Sequence, residues 1–501
     1  MVENNNKQVG RSDSQPPNSG GLGSLAKDTA IYGLSSIIGR FLNYLLVPLY
    51  TAKLTAASGG YGIITNMYAL TALVLVLLTF GMETTFFRFA NKEGENPQRV
   101  FSTALIGVSS AATLFFVAVL LLLMPVSRFL GYEQTPQYVW VMAATVAIDA
   151  IRAIPFAYLR QQKKALKFAA LQLLNISLNI GLNLVYFVGM DGHDPGYAFY
   201  INLVCSAVVT LCLFSELMQI RHGFDSQLMR RMLLYTWPII ILGLAGILNQ
   251  VADKILFPFI YQGQDMQEQL GIYGACVKIA MIMAMITQAF RYAYEPFVFG
   301  KTKDRNNDET QAKAMKYFLI FTLLAFLCVM GWLPLLKYII ACDYWPGLRV
   351  VPIVMAAEIM MGVYFNLSFW YKLDDKTWWG AIFSGAGCLV LVLTNVLFVP
   401  RYGYMACAWA GFAGYGVAMT LSYFVGQKEH PIRYPMQDIG YYTIIALASW
   451  LSMNYFADVM PTWGSLVYNT LVIACFVSII VRKDFPLSSL PVIGKYFKTF
   501  R

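Results

Sequence analysis

Almost from end to end, the chain is cut into apolar stretches of the length that a bilayer demands. A helix needs roughly 20 apolar residues to cross the hydrocarbon. Fourteen such stretches, separated by short polar or charged punctuation, run approximately over 29–51, 61–86, 101–124, 136–158, 168–189, 196–217, 233–260, 270–298, 317–336, 350–371, 378–399, 404–426, 439–457 and 463–481. Only 13% of the 501 residues are charged and 58% are apolar, whereas a soluble domain carries about a quarter charged residues. The pattern predicts an all-α polytopic membrane protein of about fourteen transmembrane helices.

A net charge of +10 raises nucleic acid as a partner, and the placement of the 37 Lys and Arg residues argues against it. They alternate by side. The N-terminal segment, the even-to-odd loops and the C-terminal tail hold 27, including Arg160, Lys163, Lys164 and Lys167, whereas the opposite loops hold five, Lys53, Arg128, Lys337, Arg349 and Arg401. Basic residues accumulate on the cytoplasmic side of a membrane protein, so both termini are expected in the cytoplasm, which requires an even number of spans. Residues 1–24 are polar and rich in Asn, Gln, Ser, Gly and Pro, without the pattern of a signal peptide. They are expected to form a disordered cytoplasmic N-terminus.

An internal repeat organises the spans. Asn43 to Tyr50 lies over Asp253 to Ile260 without gaps, aligning Pro48 with Pro258, and each segment is followed by a Tyr-Gly pair, Tyr61-Gly62 and Tyr273-Gly274. A long apolar helix follows in both cases, ending in an aromatic and basic stretch, Phe87 to Lys92 and Phe297 to Lys301. Prolines and Tyr-Gly turns carry positional meaning that leucines do not. An offset of six helices gives both units the same orientation, so a pseudo-axis along the membrane normal relates them. The expected units are an N-lobe over 25–220, a C-lobe over 221–426 and a terminal pair of helices with a basic tail over 427–501. The two six-helix lobes would face a central cavity. The terminal pair either packs on one lobe or walls a lipid groove.

Charges inside spans are costly, about 2.5–3.5 kcal/mol for Arg or Lys at a helix centre on insertion scales, so those that persist mark function or a paired structural site. Arg40 has no acidic residue within a turn on either side and looks either at a substrate or at another helix. Asp149 and Arg152, three apart, and Arg291 and Glu295, four apart, are spaced to neutralise each other on one helix face. Asp253 and Lys254 are sequence neighbours and point about 100° apart on a helix, so they are not expected to neutralise each other across one turn, and at least one is expected to reach another element. Lys278 and Glu358 have no opposite charge within a turn. An isolated carboxylate suits coupling to H+ or Na+; pairing of Glu358 with Lys254 or Lys278 is the structural alternative. Glu83 and Arg88 sit where side chains snorkel to headgroups.

Other chemistries lack their residues. Seven of the eight cysteines fall inside spans with no CxxC spacing, and the three histidines lie in different loops, so neither a metal site nor a His-based triad is expected. No GxxxxGK[ST] loop is present, which argues against ATP hydrolysis. Short loops leave little room for a membrane-embedded polysaccharide-assembly enzyme, the runner-up class, and no selectivity filter is visible.

The run from Ala26 through Gly39-Arg40, then Pro48-Leu-Tyr50, Gly60-Tyr-Gly-Ile and Phe80-Gly-Met-Glu-Thr-Thr-Phe-Phe-Arg88, resembles the polysaccharide transporters of the multidrug/oligosaccharidyl-lipid/polysaccharide (MOP) exporter superfamily. That resemblance implies a flippase of the bacterial inner membrane. Its substrate would be an undecaprenyl-pyrophosphate-linked oligosaccharide for O-antigen, lipopolysaccharide or other surface polysaccharide, handed on to polymerase machinery. Cation-coupled export of small amphiphiles is the rival reading. An Arg guanidinium can hold phosphate oxygens bidentately, which makes Arg40 the leading substrate-binding candidate, with Lys254, Lys278, Arg291 and Arg152 completing a basic wall. Glu358, Asp253 and Asp149 are the coupling-ion candidates, for H+ or Na+, and no other cofactor is expected.

Overall fold

A computed structural model of the chain describes residues 42, 44–220, 223–300, 307–373, 376–457 and 459–484, although the side chains of 242, 292, 293, 295–300 and 307 are not among the described groups. Arg40, the leading candidate from the sequence, lies outside the described residues, as does Asn43.

The described chain is helical throughout. After α1 (Leu46–Lys53) come α2 (Gly60–Thr79), α3 (Met82–Ala90), α4 (Pro97–Leu121), α5 (Pro136–Gln161), α6 (Ala165–Leu184) and α7 (Gly196–Cys212). Then follow α8 (Ser226–Ile260), α9 (Met266–Gly300), α10 (Asn307–Gly331), α11 (Val351–Leu367), α12 (Trp378–Tyr402), α13 (Tyr404–Glu429), α14 (Met436–Ala457) and α15 (Thr462–Lys483). Each apolar stretch after the first falls on helix, the stretch 61–86 on both α2 and α3, and ten described segments are long and apolar enough to cross a membrane. The 17-residue α7 falls short of that length. Of the first stretch only its last turns, in α1, are described.

Local chemistry sets the boundaries. Asn96 caps α4 by accepting from the Gln98 N–H at 2.9 Å, with Pro97 in the first turn, where its missing N–H costs nothing. Asp225 caps α8 by accepting from Gln227 and Leu228. Phe80 and Gly81 both take positive φ, which interrupts the helix between α2 and α3. In α8 the two prolines, Pro238 and Pro258, each remove a backbone donor.

Helices α2 and α9, the two that open with the Tyr-Gly repeat, start at the same end of the molecule and run in the same direction. Their contact is close: a Cβ on Gly62 would lie 1.9 Å from the Gln267 backbone carbonyl oxygen, and one on Gly274 would lie 2.4 Å from the Thr65 side-chain Oγ1. Glycine is what lets two helices approach this closely inside a membrane. The seam continues outward, where Tyr344 donates its hydroxyl to the Leu54 carbonyl and its ring meets that of Tyr61 edge-on at 6.0 Å. A single large core, containing Tyr50, Tyr61, Tyr273, Cys276 and Tyr344, runs through this end.

At the other end the start of α8 is tied to α3 and α4. Thr85 and Thr236 share a hydrogen bond of 2.5 Å, Arg99 pairs with Asp225 at 2.6 Å, Arg231 pairs with Glu95 at 2.6 Å, and Arg88 stacks on Tyr235. The terminal helices α14 and α15 pack on α10. Lys316 bridges Asp438 and Asp484, Asn469 donates to the Gly331 carbonyl at 2.8 Å, and Phe326 meets Trp450.

Candidate functional site

The candidate charges separate into three groups. In the first, Lys254 on α8 sets its ammonium 2.9 Å from both carboxylate oxygens of Asp253. The expectation that these neighbours would not neutralise each other is therefore corrected. Cβ direction does not limit Lys, whose four-carbon stem folds back along the helix while its head reaches the adjacent carboxylate. The other half of that expectation holds, because Asp253 also reaches α9 by accepting the Tyr273 hydroxyl at 2.5 Å. The ammonium lies 5.3 Å from the Tyr273 ring centre.

Two more charges surround this pair. Lys278 on α9 and Glu358 on α11 both feel Lys254 electrostatically, yet neither makes an ion pair among the described residues. Glu358 Oε2 is buried with no hydrogen-bond donor on it, so the structural alternative of a Glu358 salt bridge to Lys254 or Lys278 is not observed. The polar side of α8 extends one turn back, where Asn249 donates to Ser384 at 3.1 Å on its carbonyl and 3.2 Å on its hydroxyl, and Tyr415 donates to the Asn249 carbonyl.

The second group is self-contained. Arg152 pairs with Asp149 at 2.9 Å on α5, as the three-residue spacing predicted, and reaches Asn175 on α6 at 3.4 Å. From there a ladder of amides climbs α6 at four-residue intervals, Asn175, Asn179 and Asn183, ending where Tyr50 donates to Asn183 at 2.8 Å. Arg152 and Asp149 are thus brought together.

The third group lies toward the end of α9. Arg291 is exposed and sits over the Phe365 ring at 4.3 Å, with the Lys372 ammonium 4.4 Å from the same ring. Its expected partner, Glu295, has a side chain outside the described groups. Glu83, expected to snorkel, instead accepts Arg160 at 2.6 Å. Two described surface cavities, about 530 Å³ along α4 from Leu105 to Val117 and about 430 Å³ along the start of α8 from Phe224 to Trp237, are not lined by any of these candidates. No group of metal-ligating side chains is found among the described residues.

Sequence reasoning missed the neutral partners. Tyr273 and Asn66 each hold part of Asp253-Lys254: Tyr273 through the carboxylate, and Asn66 through a 2.9 Å hydrogen bond from Nδ2 to the Lys254 carbonyl. One signal was available. Pro258 stands four residues after Lys254 and supplies no N–H, so the Lys254 carbonyl needed another donor. The Asn175/Asn179/Asn183 spacing was equally legible as one polar helix face.

An all-helical bundle with ten described segments of spanning length is the architecture of a multi-pass membrane protein. Solved structures agree on the fold. A structure described as lipid II flippase MurJ in an inward closed conformation superposes with a TM-score of 0.73 at 15% identity, covering 90% of this chain and 98% of that one. An inward-facing multidrug resistance MATE family transporter of the MOP superfamily gives 0.61 at 15% identity, covering 77% and 93%. A structure of the MATE multidrug transporter DinF-BH gives 0.60 at 16% identity, covering 85% and 99%. No curated protein sequence matches the chain. The family model described as polysaccharide biosynthesis protein matches residues 25–293, more than half of the chain, and the chain belongs to that family.

Proposed function

We propose that this protein is a flippase that carries undecaprenyl-pyrophosphate-linked oligosaccharide across the bacterial inner membrane by alternating access. The product would feed assembly of a surface polysaccharide such as O-antigen, beside the polymerase that consumes it. The observation that carries this reading is Lys278, a cation within a spanning helix, set near Lys254 and without an anionic partner among the described residues. A buried unpaired cation is costly unless a substrate anion meets it. A lipid-linked pyrophosphate brings about two negative charges that cannot cross hydrocarbon bare, and Lys254 is available to share it if Asp253 lets go.

In this scheme the expected units 25–220 and 221–426 rock about the site, Arg40 adds a bidentate phosphate contact, and Arg291 and Lys372 meet the headgroup near the end of α9. Arg152 stays with Asp149 and plays a structural part. Both termini are cytoplasmic by the distribution of Lys and Arg. Glu358 is the coupling residue, for H+ or Na+. Its orphaned carboxylate also favours one other reading, export of small cationic amphiphiles, since a carboxylate would attract that substrate class.

The experiment is replacement of Lys278 by Ala in a cell that depends on this protein for surface polysaccharide. Loss of surface sugar with normal membrane insertion supports the flippase. Retained sugar with lost resistance to cationic dyes supports the exporter.

A further inference from the structure

The Lys254 carbonyl is an unusual group for a spanning helix. Its normal donor, the backbone N–H four residues on, is absent because that residue is Pro258. An unsatisfied carbonyl within hydrocarbon is costly, so some other element must supply a proton. The donor is Asn66 of α2, 2% exposed, whose Nδ2 lies 2.9 Å from the oxygen. Asn66 is held in turn, its Oδ1 accepting the Tyr132 hydroxyl at 2.9 Å from just before α5. One residue along α2, Thr65 lies against Gly274, and one turn back Gly62 lies on the Gln267 carbonyl. The hydrogen bond runs from α2 to α8 beside the glycine seam that α2 makes with α9, and it ends on the residue whose ammonium is paired with Asp253.

We infer that Asn66 is a positioning residue, a latch that fastens the seam to Lys254. While the seam is closed, Asn66 satisfies the carbonyl that Pro258 leaves open and fixes the turn of α8 that presents Asp253 and Lys254 to Tyr273. Parting of α2 from α8 and α9, which Asp253 and Tyr273 hold together, withdraws the amide from that carbonyl. Opening of this end and release of the Lys254 turn are one event. Asn66 acts through Lys254 and touches no substrate. The inference deepens the alternating-access reading above and names the device that links the basic site to one gate.

The test uses a native cysteine. Cys276 is fully buried beneath the seam on α9, donating to the Tyr344 carbonyl at 3.3 Å, whereas Cys205 is fully buried on α7, a helix outside the α2–α9 contact. Purified full-length protein in lipid nanodiscs is treated with N-ethylmaleimide, and modification of each cysteine is followed by peptide mass spectrometry. Asn66→Leu is expected to raise the Cys276 rate at least about tenfold, the factor produced by about 1.4 kcal/mol in a local opening equilibrium, with Cys205 unchanged. The double variant Asn66→Leu/Pro258→Ala regains a backbone donor for the carbonyl and is expected to stay fast at Cys276, because the link to α2 is still missing. Three results would overturn the latch: no acceleration in Asn66→Leu, equal acceleration at Cys205, or slow labelling restored in the double variant, which would reduce Asn66 to a filler of one carbonyl. No substrate is present, so failure here leaves the lipid-linked substrate untouched, and failure of the transport assay leaves the latch standing.

Discussion

Lys254 closes an ion pair on Asp253, its own predecessor in the chain, at 2.9 Å to each carboxylate oxygen, with both side chains less than a fifth exposed. A buried pair is worth little against an apolar pair of equal size, yet losing one member leaves a bare charge and costs about 3–5 kcal/mol. Asp253→Leu alone is therefore expected to lower the melting temperature in detergent clearly. Asp253→Leu with Lys254→Met is expected to recover most of the loss while remaining inactive in transport. Full activity in the double variant would show that the pair is structural only.

Glu358 is the carboxylate on α11 left without a donor on Oε2. Glu358→Gln is expected to leave folding intact and to flatten the dependence of transport on an imposed pH or sodium gradient, since an amide cannot exchange a proton or hold a cation by charge. Transport by reconstituted protein under imposed gradients checks this. An unchanged gradient response in the variant would remove Glu358 from coupling.

Gly62 faces a backbone carbonyl that cannot swing aside, with a Cβ placed 1.9 Å from Gln267 O. Gly62→Ala is expected to destabilise the closed seam by about 1–3 kcal/mol, the range for overpacking a tight contact. The checks are the melting temperature and the N-ethylmaleimide rate at Cys276. If neither changes, the seam is more yielding than its geometry implies.

Asp225 caps α8 outside the spanning region. The Leu228 N–H, and after it the Arg99 guanidinium, hold its carboxyl below the usual carboxylate range against the opposing effect of burial. A depressed carboxyl contributes stability that is complete above its unfolded pKa, about 3.9, and is lost as pH falls through the folded value. Hydrogen exchange at Gln227 and Leu228, corrected for intrinsic rate, is expected to stay slow down to about pH 4 and to quicken below it. In Asp225→Asn, which keeps an acceptor for the cap, that acid step should vanish. Loss of protection between pH 7 and 5 in the unaltered protein would contradict the assignment.

The helices were legible because hydropathy and length are decided by the bilayer, whatever the tertiary packing. Pro258 and the Tyr-Gly pairs were legible as markers because their backbone properties hold in any context, and the parallel start of α2 and α9 bears out the orientation they implied. Side-chain partners were less so. The Asp149–Arg152 pair followed from helical spacing, but the reach of Lys254 to Asp253 depended on a flexible stem, and the isolation of Glu358 and Lys278 depended on which helices meet. Asn66 looks in the sequence like any polar residue in an apolar span; its role becomes visible only with α8 beside it.

The basic site on α8 and α9 is proposed to move a pyrophosphate-linked sugar across the bilayer. The most direct test of this movement is purified protein in liposomes carrying a polyprenyl-pyrophosphate oligosaccharide in the inner leaflet, with arrival at the outer leaflet read by a glycosidase added outside. Arrival is expected to depend on the protein and to be lost in the variant carrying Lys254→Ala and Lys278→Ala together. Equal arrival in protein-free vesicles, or undiminished arrival with that double variant, would contradict it.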